Sequence, residues 1–297
     1  MSKIEIIVNA AGGSFVEGET EKGVVEACAD AGLDAKVTLA KGGDEIFSAA
    51  EKSTAEIIGA AGGDGTVNAV ASKALEGGKT LAVLPLGTLN HFSKDLGIPQ
   101  ELAGAVMSIA EGQVGRVDVG EVNGRIFLNN SSIGLYPRIV HKREQQQERL
   151  GRGKWSAAIF AALTVFKREP FFRVSFDIDG QSSTHKVPFV FVGNNEYSID
   201  QYNIGRRESL QGGKLSVYFL RRGGRWGVIR LLLRTLLGML DTMKEFQTLT
   251  TDAITIDVRK NAVLVAFDGE VEAMQTPLEY RIRPRALKVI VPIQPTQ

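Results

Sequence analysis

The sequence predicts two domains: an α/β domain with a mostly parallel sheet, followed by a mainly antiparallel β-sandwich with added helices. Strand-like and helix-like runs alternate through the first third of the chain, which is the pattern of parallel βα units. Beyond about residue 118, short strand candidates recur with turn residues between them, as in a sandwich. We therefore place one domain at 1–119 and the second at 120–283, and we expect a last strand within 284–297 to return to the first domain.

Four strand candidates in the first domain alternate with three helix candidates. The strands are expected at Ile4–Asn9, Asp34–Thr38, Ala55–Ala61 and Thr80–Pro85, and the helices near Gly18–Ala31, Asp44–Ser53 and Thr66–Gly77. Parallel sheets bind ligands at the carboxyl ends of their strands. Three Gly- or Asn-rich segments, 9–13, 62–66 and 85–90, follow such ends. Their convergence predicts a ligand site at this edge of the sheet.

The second domain reads as short strands interrupted by two helices. The strands are expected at Arg125–Asn129, Arg173–Ile178, Lys186–Val192, Lys214–Leu220, Ala253–Val258, Ala262–Phe267 and Pro277–Ile282, with a last apolar strand at Ala286–Pro292. The helices are expected at Lys154–Lys167 and Gly227–Lys244. The second helix combines arginines with leucines, which suits either an interfacial helix on anionic lipid or a helix that covers the sandwich. It is too short and too charged to span a bilayer.

Composition excludes several classes of protein. The 297 residues are 43% hydrophobic, and 35 Lys and Arg against 34 Asp and Glu leave a net charge of +1. No global field therefore favours nucleic acid. The single Cys28 has no partner in the chain for a disulfide or a Cys-based metal site, and a small buried side chain is its expected role. The N-terminus enters a strand at once, without a signal-peptide pattern, which predicts a cytoplasmic protein.

The segment from Gly62 to Thr66 is the most informative motif in the sequence. Gly62, Gly63 and Gly65 lie where a buried strand turns into a helix. Glycines let the backbone approach an oligophosphate, and the first N–H groups of the helix point at it. No Lys follows, so this is not a Walker A loop, and the spacing is not that of the dinucleotide fingerprint. A carboxylate beside phosphates is electrostatically unfavourable unless it binds Mg²⁺, accepts a proton or hydrogen-bonds a nucleotide hydroxyl, so Asp64 favours a kinase. The alternative is an ordinary βα turn in which Asp64 caps the helix.

Five segments in this order resemble the soluble diacylglycerol kinase catalytic-domain family, the bacterial lipid kinases related to sphingosine and ceramide kinases. They are 9–13, 62–68, 85–90, 117–120 and 268–270, and the resemblance covers nearly the whole chain. The Gly-Gly-Asp-Gly-Thr loop is shared with NAD kinases and phosphofructokinases, whereas Leu-Gly-Thr-Leu-Asn and the Asp-Gly-Glu segment narrow the family. The resemblance implies an NAD kinase-like domain that binds ATP and Mg²⁺, a β-sandwich lipid-substrate domain, and a cleft where a lipid hydroxyl meets the γ-phosphate.

The resemblance also implies roles for individual residues. Asp268 is the candidate general base, because the Asp of this Asp-Gly-Glu is taken as the proton acceptor in related lipid kinases; the alternative is an ordinary Asp-Gly turn. Asp64 is the second candidate base. Hydroxyl, amide, carboxylate and backbone groups complete the predicted nucleotide site: Asn9, Thr38, Gly62, Gly63, Asp64, Gly65, Thr66, Asn68, Thr88, Asn90 and Glu270. Each of these alone could be a cap or turn residue.

Three departures from the family pattern matter. His91 stands where relatives have Asp, which removes a carboxylate, and a lone His at such a junction is more often structural than catalytic. Gly212 and Ser216 stand where relatives have acids that help hold a structural Mg²⁺, so we assign no metal ligands. The first loop, 9–13, lacks the usual Pro and Ser but keeps its glycines.

Two rival functions stay open at the level of sequence. An NAD kinase-like enzyme with a soluble substrate shares the glycine loop, although no paired Asn-Glu motif follows it. A non-catalytic nucleotide- or lipid-binding protein would fit His91 and the lost acids, although retention of Asp64 and Asp268 argues against it. The expected partners are a lipid with a free hydroxyl and, transiently, the inner membrane surface; a homodimer is left open. Diacylglycerol, phosphatidylglycerol, a sphingoid base and ceramide all fit as acceptors.

Overall fold

The structure is a computed structural model that describes residues 4–134, 171–198, 206–207, 209–220 and 246–293. The helices predicted at Lys154–Lys167 and Gly227–Lys244 lie outside the described residues. The chain forms two compact units: Met1–Val119, Ser209–Gly213 and Arg283–Gln297 make the first, and Gly120–Glu208 and Lys214–Ile282 make the second. Among the described helices, none has the length and apolar character needed to cross a bilayer.

The first unit is an α/β structure. Its elements are β1 (Ile4–Asn9), α1 (Glu19–Asp30), β2 (Ala35–Ala40), α2 (Gly43–Lys52), β3 (Ile57–Gly62), α3 (Asp64–Glu76), β4 (Thr80–Pro85), α4 (His91–Asp95), α5 (Leu102–Glu111) and most of β5 (Gln113–Val122). The strands are parallel in the order β2-β1-β3-β4. Asn9, Gly62 and Pro85 end β1, β3 and β4 at one edge of this sheet, so the predicted parallel sheet is confirmed.

The central strand of the first sheet has apolar side chains on both faces, so both faces are buried. Ile6, Ile7 and Val8 of β1 are fully buried, as expected for a parallel strand covered on both sides. Cys28 of α1 is also buried and free, and burial raises the pKa of its thiol. The thiol is therefore a small packing group with little thiolate character.

The second unit is an antiparallel β-sandwich. Its elements are β6 (Arg125–Phe127), β7 (Asn130–Gly134), β8 (Phe172–Ile178), β9 (Gln181–Val187), β10 (Phe189–Asn194), β11 (Tyr197–Ser198), β12 (Arg206–Arg207), β13 (Leu215–Leu220), β14 (Phe246–Thr251), β15 (Ala253–Val258), β16 (Ala262–Phe267), β17 (Glu270–Gln275) and the start of β18 (Leu278–Val291). One sheet has the order β14-β13-β10-β7-β16-β17, and the other joins the start of β18 to β15, β8 and β9. Phe176 and Phe219, one from each sheet, pack with ring centroids 4.9 Å apart. The predicted sandwich is confirmed.

Two strand predictions were wrong, and proline is involved in both. The single strand expected at Lys186–Val192 is two strands, β9 and β10, separated by Pro188, because proline has no N–H to donate to a ladder. The strands expected at Pro277–Ile282 and Ala286–Pro292 are instead one strand, β18. It continues past Pro284 although Arg285 has φ 48°, since the Arg285 N–H donates to Asp118 Oδ1 over 2.7 Å.

Candidate functional site

The three predicted loops of the first unit surround one cavity of about 300 Å³. Its lining consists mainly of glycines, hydroxyl groups and backbone: Asn9, Gly12, Gly13, Ser14, Phe15, Thr20, Gly62, Gly63, Gly65, Thr66, Leu86, Gly87 and Thr88. No acidic side chain is among these lining residues. Ser14, Phe15 and Thr20 were missed in the sequence, although Ser14 directly follows the glycines and supplies a hydroxyl next to the expected motif position.

Two asparagines hold the loops in place. Asn9 Nδ2 donates to Thr66 Oγ1 over 2.9 Å, which ties the first loop to the second. Asn90 Oδ1 accepts from Gly87 N at 3.0 Å, and its Nδ2 donates to Gly87 O at 2.9 Å. Asn90 itself is buried with φ 52°, a conformation that Asn tolerates better than most residues. Its amide group therefore shapes the third loop, and the backbone and hydroxyl groups are left to face a ligand.

Some glycines of these loops make room for a neighbouring loop, and others leave empty space in the cavity. A Cβ on Gly62 would lie 2.6 Å from Thr66 Oγ1, and one on Gly87 would lie 2.4 Å from Gly63 Cα. These two glycines are needed for the contacts between the loops. A Cβ on Gly63 would have only an ordinary 3.6 Å contact with Gly87 Cα, and one on Gly13 would meet nothing within 4 Å. Gly63 and Gly13 therefore leave space that the protein itself does not fill.

Helix α3 adds an electrostatic component to this cavity. It begins at Asp64 directly after Gly63, and Gly63 and Gly65 both line the cavity. A residue without a side chain cannot cap the helix, so the first N–H groups of α3 can bind an anion at the positive end of the helix dipole. The arrangement suits a phosphate group.

Asp64 links the second loop to the third. Its Oδ2 accepts from His91 N and its Oδ1 from Phe92 N, each over 3.3 Å, at the start of the short helix α4. The capping alternative considered for Asp64 is thus realised, on a neighbouring helix. His91 contributes its backbone N–H to this contact, and its side chain is exposed.

An all-protein magnesium site does not fit these residues. Both oxygens of Asp64 already accept backbone N–H groups, and the described residues contain no cluster of three His, Cys, Asp or Glu side chains. Mg²⁺ requires several anionic or neutral oxygen ligands. Here most of those oxygens would have to come from the phosphates of a bound nucleotide.

The structure does not bring Thr38 to the cavity. Thr38 lies two residues before the end of β2, and its Oγ1 donates to Glu5 Oε1 over 2.7 Å. Lys36 Nζ donates to the same oxygen over 2.7 Å. Burial pushes the pKa of Glu5 upward, but the hydrogen bonds from Lys36, Ser53 and Thr38 outweigh it and hold the pKa below its usual value. Thr38 is not among the residues that line the cavity, and its contact with a nucleotide stays a prediction.

Asp268 lies in the second unit, in the turn from β16 to β17. It is 6% exposed with φ 46°, and Gly269 follows with φ 92°, which is the backbone of a tight hairpin turn. Its Oδ2 accepts from Leu128 N at 2.6 Å, and its Oδ1 accepts from Asn129 N at 2.9 Å and Asn130 N at 3.2 Å. Three hydrogen bonds to one carboxylate fix its orientation.

Glu270, the last acid of the Asp-Gly-Glu segment, is held differently. It lies within 4.0 Å of Arg125 Nη2. Burial raises the pKa of Glu270; Arg125 opposes this, and the charges of Asp268 and Glu272 add to it. The two acids of one turn are thus in opposite settings, because Asp268 accepts three N–H groups and Glu270 faces like charges.

The residues near Gly212 and Ser216, which depart from the family pattern, take part in hydrogen bonds within the protein. The fully buried Asp118 accepts from Gly213 N at 2.6 Å and from Arg285 N at 2.7 Å. Ser216 Oγ donates to Asn195 O at 2.6 Å. Asp118 thus accepts hydrogen bonds from backbone N–H groups, and the doubt about a structural Mg²⁺ drawn from Gly212 and Ser216 stays a prediction.

A second cavity, of about 390 Å³, lies in the second unit. Its lining is mostly apolar with three cationic side chains and no acid among the described residues: Ile133, Gly134, Phe172, Arg173, Val258, Arg259, Lys260, Ala262, Val263 and Leu264. The sequence analysis missed this cavity, because its walls come from strands of both sheets and the turn that joins β15 to β16. No local motif marks such a surface.

Comparison with known proteins shows what this chain is similar to. The profile of the diacylglycerol kinase catalytic domain matches residues 3–122, and that of the YegS C-terminal NAD kinase beta sandwich-like domain matches residues 131–291. A diacylglycerol kinase of Bacillus subtilis (strain 168) is 38% identical over 104 residues, which are 33% of this chain and 34% of that protein. One of Staphylococcus epidermidis (strain ATCC 12228) is 36% identical over 104 residues, 34% of this chain and 33% of that protein.

These alignments span about a third of the length of each curated relative. A solved structure is similar over far more of the chain. It is a Bacillus anthracis str. Sterne protein assigned as a diacylglycerol kinase, with a TM-score of 0.73 and 25% identity, covering 98% of this chain and 97% of the other.

Proposed function

This chain belongs to the diacylglycerol kinase catalytic-domain family, and from that membership we propose that it is a lipid kinase. The proposed reaction transfers the γ-phosphate of ATP to a lipid hydroxyl on a diacylglycerol-like or sphingoid acceptor. ATP binds through the first unit, and Mg²⁺ accompanies its phosphates. The lipid is taken from a membrane surface with which the protein associates transiently.

The observation that supports this proposal most strongly is the loop cavity of the first unit. Gly62, Gly63 and Gly65 meet the start of α3, and the described lining has no acidic side chain. A cavity of glycines, hydroxyls and helix N–H groups suits an oligophosphate better than any neutral ligand. Thr66 and Thr88 add hydroxyl groups at its wall.

The second cavity supports a lipid over a soluble acceptor. Ile133, Phe172, Val263 and Leu264 offer an apolar lining, which would gain about 25 cal/mol for each Å² of alkyl surface removed from water. An NAD kinase-like enzyme needs no such apolar cavity for its acceptor, so that alternative receives no support from it.

In the proposed mechanism the protein mainly positions groups, as phosphoryl transfer requires. The three loops hold the phosphates, and Mg²⁺ bound together with ATP would neutralise their charge. Asp268 accepts a hydrogen bond from the attacking lipid hydroxyl and takes its proton as the lipid oxygen bonds to the γ-phosphorus. The bond from that phosphorus to the oxygen bridging it to the β-phosphate breaks, and ADP leaves. Asp64 is the second candidate for this base. It ranks after Asp268 because both of its carboxylate oxygens already accept backbone N–H groups at the start of α4.

One observation favours a second candidate function. Asp268 already accepts three backbone N–H groups, so its remaining capacity to take a proton is limited. A protein that binds nucleotide and lipid without transferring phosphate would fit that geometry.

The experiment is ATP turnover with Mg²⁺ on vesicles that each contain one acceptor: diacylglycerol, phosphatidylglycerol, a sphingoid base or ceramide, with NAD as a soluble comparison. The expected result is a phosphorylated lipid, identified by mass spectrometry, and no phosphorylated NAD. Phosphorylation of NAD alone would establish the soluble-substrate alternative. Saturable ATP binding with no product from any acceptor would favour the non-catalytic candidate.

A further inference from the structure

Arg207 is a buried cation whose role the family resemblance does not explain. It lies on β12 and is 6% exposed. Its Nη1 donates to Leu128 O and to Asn194 O, the latter over 3.3 Å, and its Nη2 donates to Asn129 Oδ1 over 3.0 Å. Its guanidinium also stacks over the Tyr197 ring, 5.7 Å from the centroid. Burying a guanidinium is costly unless it is well hydrogen-bonded. Two of these three hydrogen bonds go to the neighbouring residues Leu128 and Asn129.

The stretch that begins with these two residues is the one that holds Asp268. The peptide group between Leu128 and Asn129 accepts from Arg207 through its carbonyl oxygen and donates to Asp268 Oδ1 through its N–H, over 2.9 Å. A single rigid peptide plane therefore connects the guanidinium to the carboxylate. Because the plane cannot bend, a shift of the carbonyl end moves the N–H end as well.

The next peptide group repeats the arrangement. The carbonyl of Asn129 accepts from Tyr197 Oη and from Asn194 N, each over 2.9 Å, and the following N–H, that of Asn130, donates to Asp268 Oδ1 over 3.2 Å. Two consecutive peptides thus have donors on one side and the same carboxylate oxygen on the other. Hydrogen bonds in such chains polarise one another, which strengthens each bond in a buried setting.

Accordingly, we propose that Arg207, with Tyr197, is the positioning residue for Asp268, acting through the peptide groups of Leu128–Asn130. The inference rests on the proposed kinase function and deepens it. Arg207 touches neither nucleotide nor lipid in this account. It fixes where the Asp268 carboxylate points, because the three N–H groups that bind this carboxylate are themselves held in place.

The test compares Arg207→Met, Arg207→Lys and Tyr197→Phe. Arg207→Met removes the guanidinium donor to the Leu128 carbonyl and leaves Asn194 Nδ2, which donates to the same oxygen over 2.8 Å. A misplacement of about 1 Å costs on the order of 10²-fold in rate. We expect turnover to fall about 10- to 100-fold with the affinity for ATP unchanged. Arg207→Lys, which keeps one donor, should recover part of the rate, and Tyr197→Phe, which loses one hydroxyl, should lose the least and stay folded.

Arg281→Met is the matched control. Arg281 also belongs to the second unit, and its Nε donates to Glu121 Oε1 over 2.7 Å, but it has no described contact with the 128–130 stretch. Its loss should lower the unfolding midpoint while leaving turnover within about twofold. If turnover falls in both variants in proportion to lost stability, Arg207 is structural and the inference is overturned.

A double-mutant cycle separates positioning from an independent contribution. If Arg207 acts only through Asp268, Arg207→Met should cost no more than about twofold further in an Asp268→Asn background. Multiplicative losses would overturn the inference, as would parent-like turnover in Asp268→Asn, since a dispensable Asp268 needs no positioning.

Amide hydrogen exchange keeps the inference testable even if the parent phosphorylates no lipid, an outcome that would defeat the proposed function alone. In Arg207→Met the amides of Leu128, Asn129 and Asn130 should exchange at least about tenfold faster, while those of the β16–β17 pairing keep their parent rates. Unchanged exchange at 128–130 would show that the guanidinium does not hold these peptides, and the inference would fall.

Discussion

Backbone N–H groups are used in opposite ways in the two units. In the first, the N–H groups at the start of α3 face a glycine-lined cavity that the protein leaves open. In the second, the N–H groups of Leu128, Asn129 and Asn130 are taken up by the protein's own carboxylate, Asp268. In the first arrangement the N–H groups remain available to an anionic ligand. In the second they bind a carboxylate of the protein itself. The difference shows that the first unit leaves backbone N–H groups beside an open cavity, whereas the second uses them to orient a charge of the protein itself.

The glycines show the same contrast. Gly63 and Gly13 leave space into which a ligand can fit. In the Asp268 turn, Gly269 has φ 92° and serves only the backbone conformation. Substitutions at the two sites should therefore fail in different ways, and the following predictions use that difference.

The largest effect is expected for Asp268→Asn. An amide in place of the carboxylate loses the proton acceptor, and turnover should fall about 10² to 10⁴-fold, the range for a general base. Its NH₂ group would also face a backbone donor, so the free energy of unfolding should fall by about 1–3 kcal/mol. Lipid phosphorylation measures the loss of turnover, and denaturant unfolding measures the loss of stability. The ATP affinity measured by calorimetry should not change.

Asp257→Asn is the matched control, because Asp257 is an exposed acid on β15 of the same unit. It should leave both turnover and stability near the parent values. If Asp268→Asn turns over lipid within about threefold of the parent, Asp268 is not the base, and the contrast between the two units loses its functional meaning.

A smaller effect is expected from a pair of glycine substitutions in the first unit. Gly63→Ala places a methyl where only Gly87 Cα lies nearby, at 3.6 Å, so the fold should be kept while the phosphate space shrinks. ATP affinity should fall about tenfold or more, which corresponds to the lower part of the 1–3 kcal/mol typical of overpacking. Calorimetry of ATP binding measures this.

Gly62→Ala should behave in the opposite way. Its methyl would meet Thr66 Oγ1 at 2.6 Å, so the unfolding free energy should fall by about 1–3 kcal/mol. Parent-like ATP affinity in folded Gly63→Ala would mean that phosphate does not occupy the space beside Gly63.

A third pair of variants decides between the predicted and observed roles of Thr38. Thr38→Val removes a donor to the buried Glu5, and we expect a loss of about 1 kcal/mol in unfolding free energy with ATP affinity unchanged. Thr88→Val, at the exposed wall of the cavity, should weaken ATP binding with little change in stability. The reverse outcome would restore Thr38 to the nucleotide site.

The smallest effects concern pH and differ in sign between the units. The pKa of Glu5 lies below the ordinary 4.5, so its stabilising contribution is present above that pH and is lost as the pH falls through the lowered pKa. The pKa of Glu270 lies above 4.5, so stability is lost as the pH rises from 4.5 through the raised pKa. Both shifts can be followed as the unfolding midpoint against pH.

Glu5→Gln should therefore lower the midpoint at neutral pH, with the difference shrinking in acid. Glu270→Gln should raise it slightly at neutral pH and match the parent below pH 4.5, by little because Glu270 is 41% exposed. Two variants with the same pH response would contradict the opposite settings assigned to these acids.

Local sequence patterns were enough to predict the α/β unit, the β-sandwich unit and the convergence of the three loops. β1 and β4 were placed at their exact bounds because their apolar runs end in turn residues. The hydrogen bond from Thr38 to Glu5 could not be predicted, because Glu5 lies on another strand and no local pattern indicates that pairing. Arg207 escaped detection for the same reason, since its acceptors are 79 and 13 positions away. Long-range hydrogen bonds are set by packing, which a single sequence does not display.

The last strand has a consequence for how the protein is made. β18 starts in the second unit and ends in the first, where Val289 pairs with Leu81 of β4. Lys288 and its acceptor on Gly78 are 210 positions apart, a delay of about 10 to 40 s at ordinary rates of translation. Throughout that interval the nascent first unit has β4 as an open strand edge, which can pair with another chain. The strand that covers the β4 edge is thus synthesised last. Chaperone protection during synthesis should therefore matter more for the first unit than for the second.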